Sequence, residues 1–165
     1  MKKALIGCAL LLAFLGTAIV AWIIYIGTVG PETFVVSGRQ LEKRFHTRVQ
    51  ELGLLEEGEE IQYFYSDALT DITEGCYMVT DRHLILYSKR WPEPEIILAF
   101  DEIDSLEVEF DDSFFFDSYF TVGLEDGSDI TFPISSEQEG DRRFYDYLEE
   151  RRPKAEEPVL EAPEP

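Results

Sequence analysis

A long apolar run near the N-terminus constrains this chain more than any other feature. Met1-Lys2-Lys3 is followed by an uncharged stretch, whose apolar body, Ala4–Val29, covers 26 residues. About 20 apolar residues suffice to cross the hydrocarbon core of a bilayer as a helix, so this run can cross with some tilt. Trp22 and Tyr25 would then lie towards the distal interface, where such rings are enriched. We predict a transmembrane anchor within residues 1–31.

A cleavable signal peptide is the competing interpretation of this run. Gly16-Thr17-Ala18 offers small residues suited to cleavage. Cutting there would leave residues 19–29, IVAWIIYIGTV, as an exposed apolar N-terminus. We therefore expect an uncleaved, single-pass anchor, with the membrane as a partner through residues 4–29.

The basic residues beside the run favour one orientation. Lys2 and Lys3 precede it, whereas no Lys or Arg follows until Arg39. The positive-inside rule then places the N-terminus in the cytoplasm and the following domain outside. A cytoplasmic domain is the alternative, because four bases after the run lie in or near the window that this rule counts.

The remainder of the chain is strongly acidic. Residues 51–165 hold 32 of the 34 acidic residues but only 8 of the 14 basic ones, a net charge of -24. Such a domain repels phosphate groups, so we expect no binding to nucleic acids. Aromatic residues make up 13% of the chain, which indicates a packed core rather than disorder.

Residues 32–53 form a connector, and a helix is predicted within it from Ser37 to Gly53. Ser37 is the candidate N-cap, and Gly53 can end the helix. Its apolar residues recur at helical spacing as one stripe: Leu41, Phe45, Val49 and Leu52. Beside the stripe lie four candidate contacts for lipid headgroups: Arg39, Lys43, Arg44 and Arg48. The alternative, which we favour slightly, is that this helix packs on its own domain.

Short β-prone segments separated by turn residues follow the connector. Seven strands are predicted: 59–66, 76–80, 83–88, 95–100, 105–110, 119–125 and 129–134. Asp81-Arg82 and Asp126-Gly127-Ser128 supply hairpin turns. The series predicts a mainly antiparallel β-sandwich or barrel.

One helix is predicted after the last strand. Ser135 or Ser136 can cap it and Pro153 stops it. Its apolar face holds Phe144, Tyr145, Tyr147 and Leu148. Residues 153–165, PKAEEPVLEAPEP, are rich in Pro and Glu, and we predict a disordered tail.

Seven strands closed by a C-terminal amphipathic helix resemble the plan of pleckstrin-homology (PH)-like domains. The segment LLEEGEEIQYFYSD (54–67) resembles the opening strand of the bacterial PH-like and GRAM-like families, and EGCYMVTDRHLILYS (74–88) resembles their central hairpin. ILAFDEIDSLEVE, VGLEDGSDITFPI and the FYDYLEERR helix complete the series. The resemblance covers residues 54–152 and implies a bacterial protein, here of the inner membrane with a periplasmic domain. The basic loop cluster of phosphoinositide-binding members is missing, so we expect no phosphoinositide binding.

Residues that could carry chemistry are sparse and scattered in the sequence. His46 and His83 lie on different predicted elements, and no Cys/His group has metal-ligand spacing. The glycines form no phosphate-binding loop, and the aspartates show no EF-hand spacing. Cys8 and Cys76 are far apart, so no disulfide is implied. We predict no enzyme, no cofactor and no metal site; a cryptic hydrolase using His83 is the least favoured alternative.

The predicted function is a membrane-anchored, non-catalytic module that binds or scaffolds a protein partner. This partner would be basic or apolar, because an anionic one would be repelled. An envelope sensor, with the anchor coupled to the acidic domain, is the second hypothesis.

The stretch FDDSFFFDSYF, residues 110–120, combines six aromatic residues with three aspartates. Strand periodicity divides it after a turn at residues 111–113. The even positions, predicted to face the core, are Phe114, Phe116, Ser118 and Phe120. Phe115 and Tyr119 fall on the outer face, and we predict them as the contact surface for a protein partner.

Overall fold

The elements of the chain are seen in a computed structural model, which describes residues 2–113 and 116–153, with side-chain environments from residue 10 onward. The helices are α1 (Lys2–Val29), α2 (Lys43–Glu51) and α3 (Gly140–Arg151). The strands are β1 (Val36–Ser37), β2 (Ile61–Tyr65), β3 (Cys76–Thr80), β4 (His83–Tyr87), β5 (Glu95–Ala99), β6 (Ile103–Glu109), β7 (Asp117–Leu124) and β8 (Asp129–Ser135). Phe114, Phe115 and the predicted tail beyond Pro153 lie outside the described residues.

The strands form two antiparallel sheets. Sheet A has the order β1-β2-β3-β4-β5, and sheet B has the order β6-β7-β8. This arrangement confirms the predicted fold class, mainly β with an N-terminal apolar helix and a C-terminal helix. The strand that the sequence did not indicate is β1, where Val36 pairs with Phe64 and Ser37 with Tyr63. Two residues are too few for a period of two to be recognised.

The main core lies between the two sheets and α3. Phe120 and Phe132 face each other across β7 and β8 and are both buried, with Phe144 of α3 beside them. Tyr77 of sheet A stacks on Phe132, with ring centroids 5.7 Å apart. The alternation predicted for β8 is confirmed, because Phe132 and Ile134 are buried and Ile130 packs against the same cluster.

A second apolar cluster covers the other face of sheet A. Phe45 and Val49 of α2 are buried there against Phe64, Met78 and Ile85. β3 is consequently buried along its whole length. The apolar stripe of the connector thus packs on the sheet, which is the favoured interpretation of its sequence.

The predicted start of the connector helix, at Ser37, was wrong. Ser37 does not cap a helix, because it lies in β1, and α2 begins only at Lys43 after Glu42. At the next residue, a Cβ on Gly38 would collide with the carbonyl oxygen of Ile61, so only glycine allows the chain to run so close to β2. The predicted terminator is confirmed, since Gly53 has φ +73°.

The predicted cap of the last helix was also wrong. Ser135 belongs to β8, and the Ser136 hydroxyl donates to the carbonyl oxygens of Ser113 and Phe116 instead of capping α3. Gln138 and Glu139 then take positive φ angles of 57° and 59° before α3 begins. Tertiary hydrogen bonds to the neighbouring loop thus replace the expected local cap.

The alternation predicted for the phenylalanine stretch holds only from residue 118 onward. Ser118 and Phe120 are buried and Tyr119 is 52% exposed, as the period of two requires. Phe116, predicted to face the core, is instead 68% exposed. The pairing of β7 with β8 starts at Asp117 opposite Ser135, so Phe116 precedes the ladder and strand geometry does not direct its side chain.

Two substitutions in this stretch should therefore differ sharply in their effect on stability. Phe120→Ala removes a buried ring and should lower the free energy of unfolding by about 3–5 kcal/mol. Phe116→Ala removes an exposed ring and should change it by less than about 0.5 kcal/mol. Urea unfolding in detergent, followed by near-ultraviolet circular dichroism, measures both. Equal losses would show that the two rings share one core.

Candidate functional site

The site with the most distinctive geometry is the junction between α1 and the folded domain. Residues Leu10–Val29 of α1 are apolar and long enough to cross a membrane, and none of this segment is buried in the protein. Its 20 residues span about 30 Å at 1.5 Å per residue, the thickness of a bilayer core. The first strand begins only a few residues after α1 ends, so the domain lies close to that end of the helix.

Arg44 of α2 binds the end of α1 directly. Its Nη1 donates to the carbonyl oxygens of Thr28 and Val29 at 3.1 and 3.0 Å, and its Nη2 donates to that of Gly30 at 3.2 Å. The last carbonyls of a helix lack internal partners, and a cation there also suits the helix dipole. Glu42 holds the same guanidinium through an ion pair of 2.7 Å.

The other predicted headgroup contacts are separate from this junction. Lys43 is the exposed first residue of α2, and Arg48 pairs with Glu51 at 3.1 Å. Arg39 is exposed and lines an open groove of about 680 Å³ beside β2, together with His46 and Tyr147. Arg44, Arg48 and Arg39 thus have different neighbours, and headgroup binding by the four basic residues stays a prediction.

Glu59, Thr80 and His83 form a buried polar cluster at the turn between β3 and β4. The Thr80 hydroxyl donates to Glu59 Oε1 at 2.5 Å, and His83 Nδ1 lies 2.9 Å from the same oxygen. Glu59 Oε2 accepts from the backbone N–H of Glu56 at 2.8 Å. Burial by itself raises the pKa of Glu59, but the bonds from Thr80, Glu56 and His83 together bring that pKa below its ordinary value of 4.5.

This cluster does not have the geometry of a hydrolytic triad. A triad requires the nucleophile on the imidazole nitrogen opposite the carboxylate. Here both the Thr80 hydroxyl and the His83 imidazole contact the carboxylate of Glu59 itself. Thr80 also accepts from the backbone N–H groups of Arg82 and His83. The contacts therefore stabilise the hairpin turn.

Two tyrosines connect the ends of β2 and β3 to acidic residues. The Tyr65 hydroxyl donates to Asp117 Oδ2 at 2.8 Å, and the Tyr77 hydroxyl donates to Asp67 Oδ2 at 3.3 Å. Desolvation raises the pKa of both carboxyl groups and of both phenols. The Tyr65–Asp117 bond joins the end of β2 to the start of β7, and so joins the two sheets.

Tyr119 lies at the centre of the outer face of sheet B. In the register of the sheet it is flanked by Glu109 and Pro133, and the neighbouring row is Glu107, Thr121 and Thr131. Tyr119, Glu109 and the neighbouring row border a depression of about 230 Å³. Phe115, the other predicted partner contact, lies outside the described residues. This face therefore combines one exposed aromatic ring with two carboxylates.

Metal and thiol chemistry find little support in the described part of the chain. Residues 2–113 and 116–153 contain no group of three or more His, Cys, Asp or Glu side chains placed to hold a metal ion. Cys76 is buried, and burial raises the pKa of its thiol to about 12. A thiol with such a high pKa is a poor nucleophile at neutral pH.

Comparison with solved structures identifies the architecture. A crystal structure of a DUF1696 family protein with a pleckstrin-homology domain, from Shewanella loihica PV-4, matches with a TM-score of 0.50 and 15% identity, over 74% of this chain and 98% of that one. The fold is pleckstrin-homology-like. A pleckstrin homology domain from Shewanella amazonensis SB2B gives a TM-score of 0.47 at 13% identity, over 66% of this chain and 96% of that one. No protein-family model and no curated protein matches the chain.

The contact between Arg44 and the end of α1 was not predicted from the sequence. Arg44 was one of four similar bases, and nothing in the spacing separated it from Arg48. Leu69 was also missed, although its backbone meets the end of α1: a Cβ on Gly30 would collide with the Leu69 carbonyl oxygen. Both contacts join segments that are distant along the chain, so no local pattern reveals them.

Glu59→Gln tests the polar cluster through its pH dependence. A lowered folded-state pKa means that the carboxylate stabilises the fold above pH 4.5 and that this contribution is lost as the pH falls through the folded-state pKa. At pH 7 the variant should be less stable by about 1–3 kcal/mol, because buried donors lose a charged acceptor. The deficit should shrink in acid. Urea unfolding at pH 7 and at pH 4 or below measures it, with the exposed neighbour Glu60→Gln as control; a deficit independent of pH would contradict this assignment.

Arg44→Met tests the junction. Without the guanidinium, the last turn of α1 loses three hydrogen bonds and should fray, because its carbonyl groups are left without partners. Amide hydrogen exchange in nanodiscs should become several-fold faster for residues 28–30, whose N–H groups belong to the last turn; the Gly30 N–H donates to the Ile26 carbonyl at 2.8 Å. Arg48→Met is the matched control, since Arg48 pairs only with Glu51 on its own helix. Equal exchange in the two variants would show that Arg44 does not hold the junction.

Proposed function

We propose that this protein is a single-pass membrane protein whose PH-like domain is a non-catalytic module that binds or scaffolds another protein. The observation that carries this proposal is Tyr119, an aromatic side chain left 52% exposed in the middle of a regular sheet. Aromatic residues with a polar tip are enriched in protein interfaces. The PH-like fold is one on which binding functions are built, which is an argument by analogy.

The proposed partner presents basic groups to this face. Glu109 lies opposite Tyr119 in the β6–β7 register and Glu107 lies in the neighbouring row, and the whole chain has a net charge of -20. Complementary charge speeds encounter and suppresses wrong partners. An anionic partner, such as a nucleic acid or a phosphoinositide, would be repelled. Lys89 and Arg90 do not offset this, because they pair with Asp71 and Glu74.

The proposed location is the bacterial inner membrane, with the PH-like domain in the periplasm. Lys2 and Lys3 before α1 support this orientation through the positive-inside rule. In this proposal residues 1–31 anchor the protein and residues 153–165 form a tail. Residues 54–152 form most of the PH-like domain, and the connector, residues 32–53, adds β1 and α2 to its packed structure. The opposite orientation, with a cytoplasmic domain, would present the same face to cytoplasmic partners.

A sensor function is the second candidate, and the Arg44 contacts favour it. They fasten α1 to α2, and α2 packs on sheet A through Phe45 and Val49. A displacement of the anchor would therefore be passed to the domain through packed side chains rather than absorbed by a flexible linker.

Site-specific photocrosslinking tests the partner surface. Benzoylphenylalanine in place of Tyr119 should give a discrete protein adduct in cells, and the same probe at the exposed Glu93, on the turn before β5, should not. Reversing the flanking charges with Glu107→Lys and Glu109→Lys should abolish the adduct. Adducts of equal intensity at both positions, or an adduct that survives charge reversal, would refute this surface.

A reporter fused after Pro165 tests the orientation. An alkaline phosphatase fusion should be active and a green fluorescent protein fusion should be dark if the domain is periplasmic. The reverse pattern would place the domain, and the source of its partner, in the cytoplasm.

A further inference from the structure

The two most exposed apolar side chains of the domain are linked to the end of α1. Outside α1, five large apolar side chains are exposed in the described part of the chain: Leu69, Ile97, Phe110, Phe116 and Tyr119. Single exposed apolar residues are ordinary. Here, however, the two most exposed, Leu69 at 64% and Phe116 at 68%, lie in two different loops that meet beside the anchor.

A ring of contacts places both loops at the anchor. The backbone of Leu69 touches Gly30, the residue that follows α1. Thr33, three residues further, donates to Glu137 at 3.1 Å. Ser136, the neighbour of Glu137, donates to the Phe116 carbonyl oxygen at 3.2 Å. These contacts link the loop that holds Phe116 to the segment that follows α1.

The same two loops are also joined to each other. Phe116 directly precedes Asp117, and Asp117 accepts the hydrogen bond from Tyr65. Leu69 lies four residues after Tyr65 in the loop that leads to β3. The Tyr65–Asp117 hydrogen bond, which joins the two sheets, therefore also links the loops that hold Leu69 and Phe116.

The opposite end of the domain differs. β7 runs from Asp117 to Leu124, about 23 Å away at 3.3 Å per residue. There Leu124 and Asp126 lie beside Leu98, at the far end of sheet A. The turn at this end is polar, with Asp126 bonded to Ser128. Ile97, next to Leu98, is exposed at this end but only to 41%, so the two most exposed apolar side chains, Leu69 and Phe116, both lie towards the other end.

We propose that Leu69 and Phe116 form a membrane-docking surface that rests in the lipid interface around α1. The occupant is the bilayer that holds the anchor, because this surface is continuous with the end of the membrane-length helix. A bilayer interface accepts apolar side chains beside charged groups. The inference rests on the proposed anchoring by α1. Phe114 and Phe115 lie outside the described residues.

Apolar burial, rather than charge, drives this docking. The bases near these loops are neutralised: Lys89 pairs with Asp71, and Arg142 pairs with Asp112. Asp67 and Asp117 add negative charge between the two loops. Docking should therefore occur on zwitterionic lipid and should resist salt, unlike binding through a basic headgroup site.

An environment-sensitive label on the full-length protein tests the docking surface. With Cys8→Ala as background, nitrobenzoxadiazole is attached at Leu69→Cys, Phe116→Cys or, as control, Ser128→Cys in the distal turn. Cys76 can stay, because it is buried. The variants are reconstituted in phosphatidylcholine vesicles. We expect blue-shifted emission, protection from aqueous iodide and quenching by spin-labelled lipid at residues 69 and 116, unchanged in 0.5 M salt (roughly a 4 Å screening length), and none of these at residue 128.

Flotation of the vesicles after an alkaline wash distinguishes failure of the docking surface from failure of the anchor. Protein that floats with labels 69 and 116 submerged supports docking. Protein that floats while both labels stay as accessible to iodide as label 128 overturns docking and leaves the anchor intact. Protein that does not float overturns the anchor and docking together. Submersion that requires anionic lipid or disappears in salt would also overturn the apolar surface, in favour of headgroup binding.

Discussion

The burial of Phe132 joins the three layers of the domain. Its ring is 1% exposed and contacts Tyr77 of sheet A, Phe120 of sheet B and Phe144 of α3, with centroid separations of 5.7, 5.6 and 6.4 Å. Aromatic rings at such separations add a geometric preference to the burial of apolar area. Since sheet B contributes two of these rings and sheet A and α3 one each, the apolar faces of the three layers are buried against one another.

The other face of sheet A is also packed, and this packing determines where the domain lies relative to α1. α2 covers that face through Phe45 and Val49, and Arg44, the residue before Phe45, reaches the carbonyl groups at the end of α1. The segment between the anchor and the domain is therefore part of the packed structure. This short connection is what brings the loops with Leu69 and Phe116 to the end of α1.

Periodic patterns predicted the regular elements well, because they depend on local chemistry. The alternation of Phe132 and Ile134, the Asp126-Gly127-Ser128 turn and the stripe of Phe45 and Val49 each concern neighbours along one element. The predictions failed where a distant contact overrode the local signal. Ser37 pairs with Tyr63 instead of capping a helix, and Ser136 bonds the loop before β7 instead of capping α3. Of the candidate contacts, Tyr119 is exposed as expected, whereas Leu69 had no local signal at all.

The sequence by itself determined that this chain has one helix of membrane length, an acidic mainly β domain and a closing helix, since length, charge and period are properties of consecutive residues. Only the tertiary structure decided which side chains meet. It exposed Phe116, because the ladder with β8 begins one residue later. It selected Arg44 from four similar bases, because only that side chain reaches the end of α1. Long-range packing creates such neighbours, and no repeat in the chain encodes them.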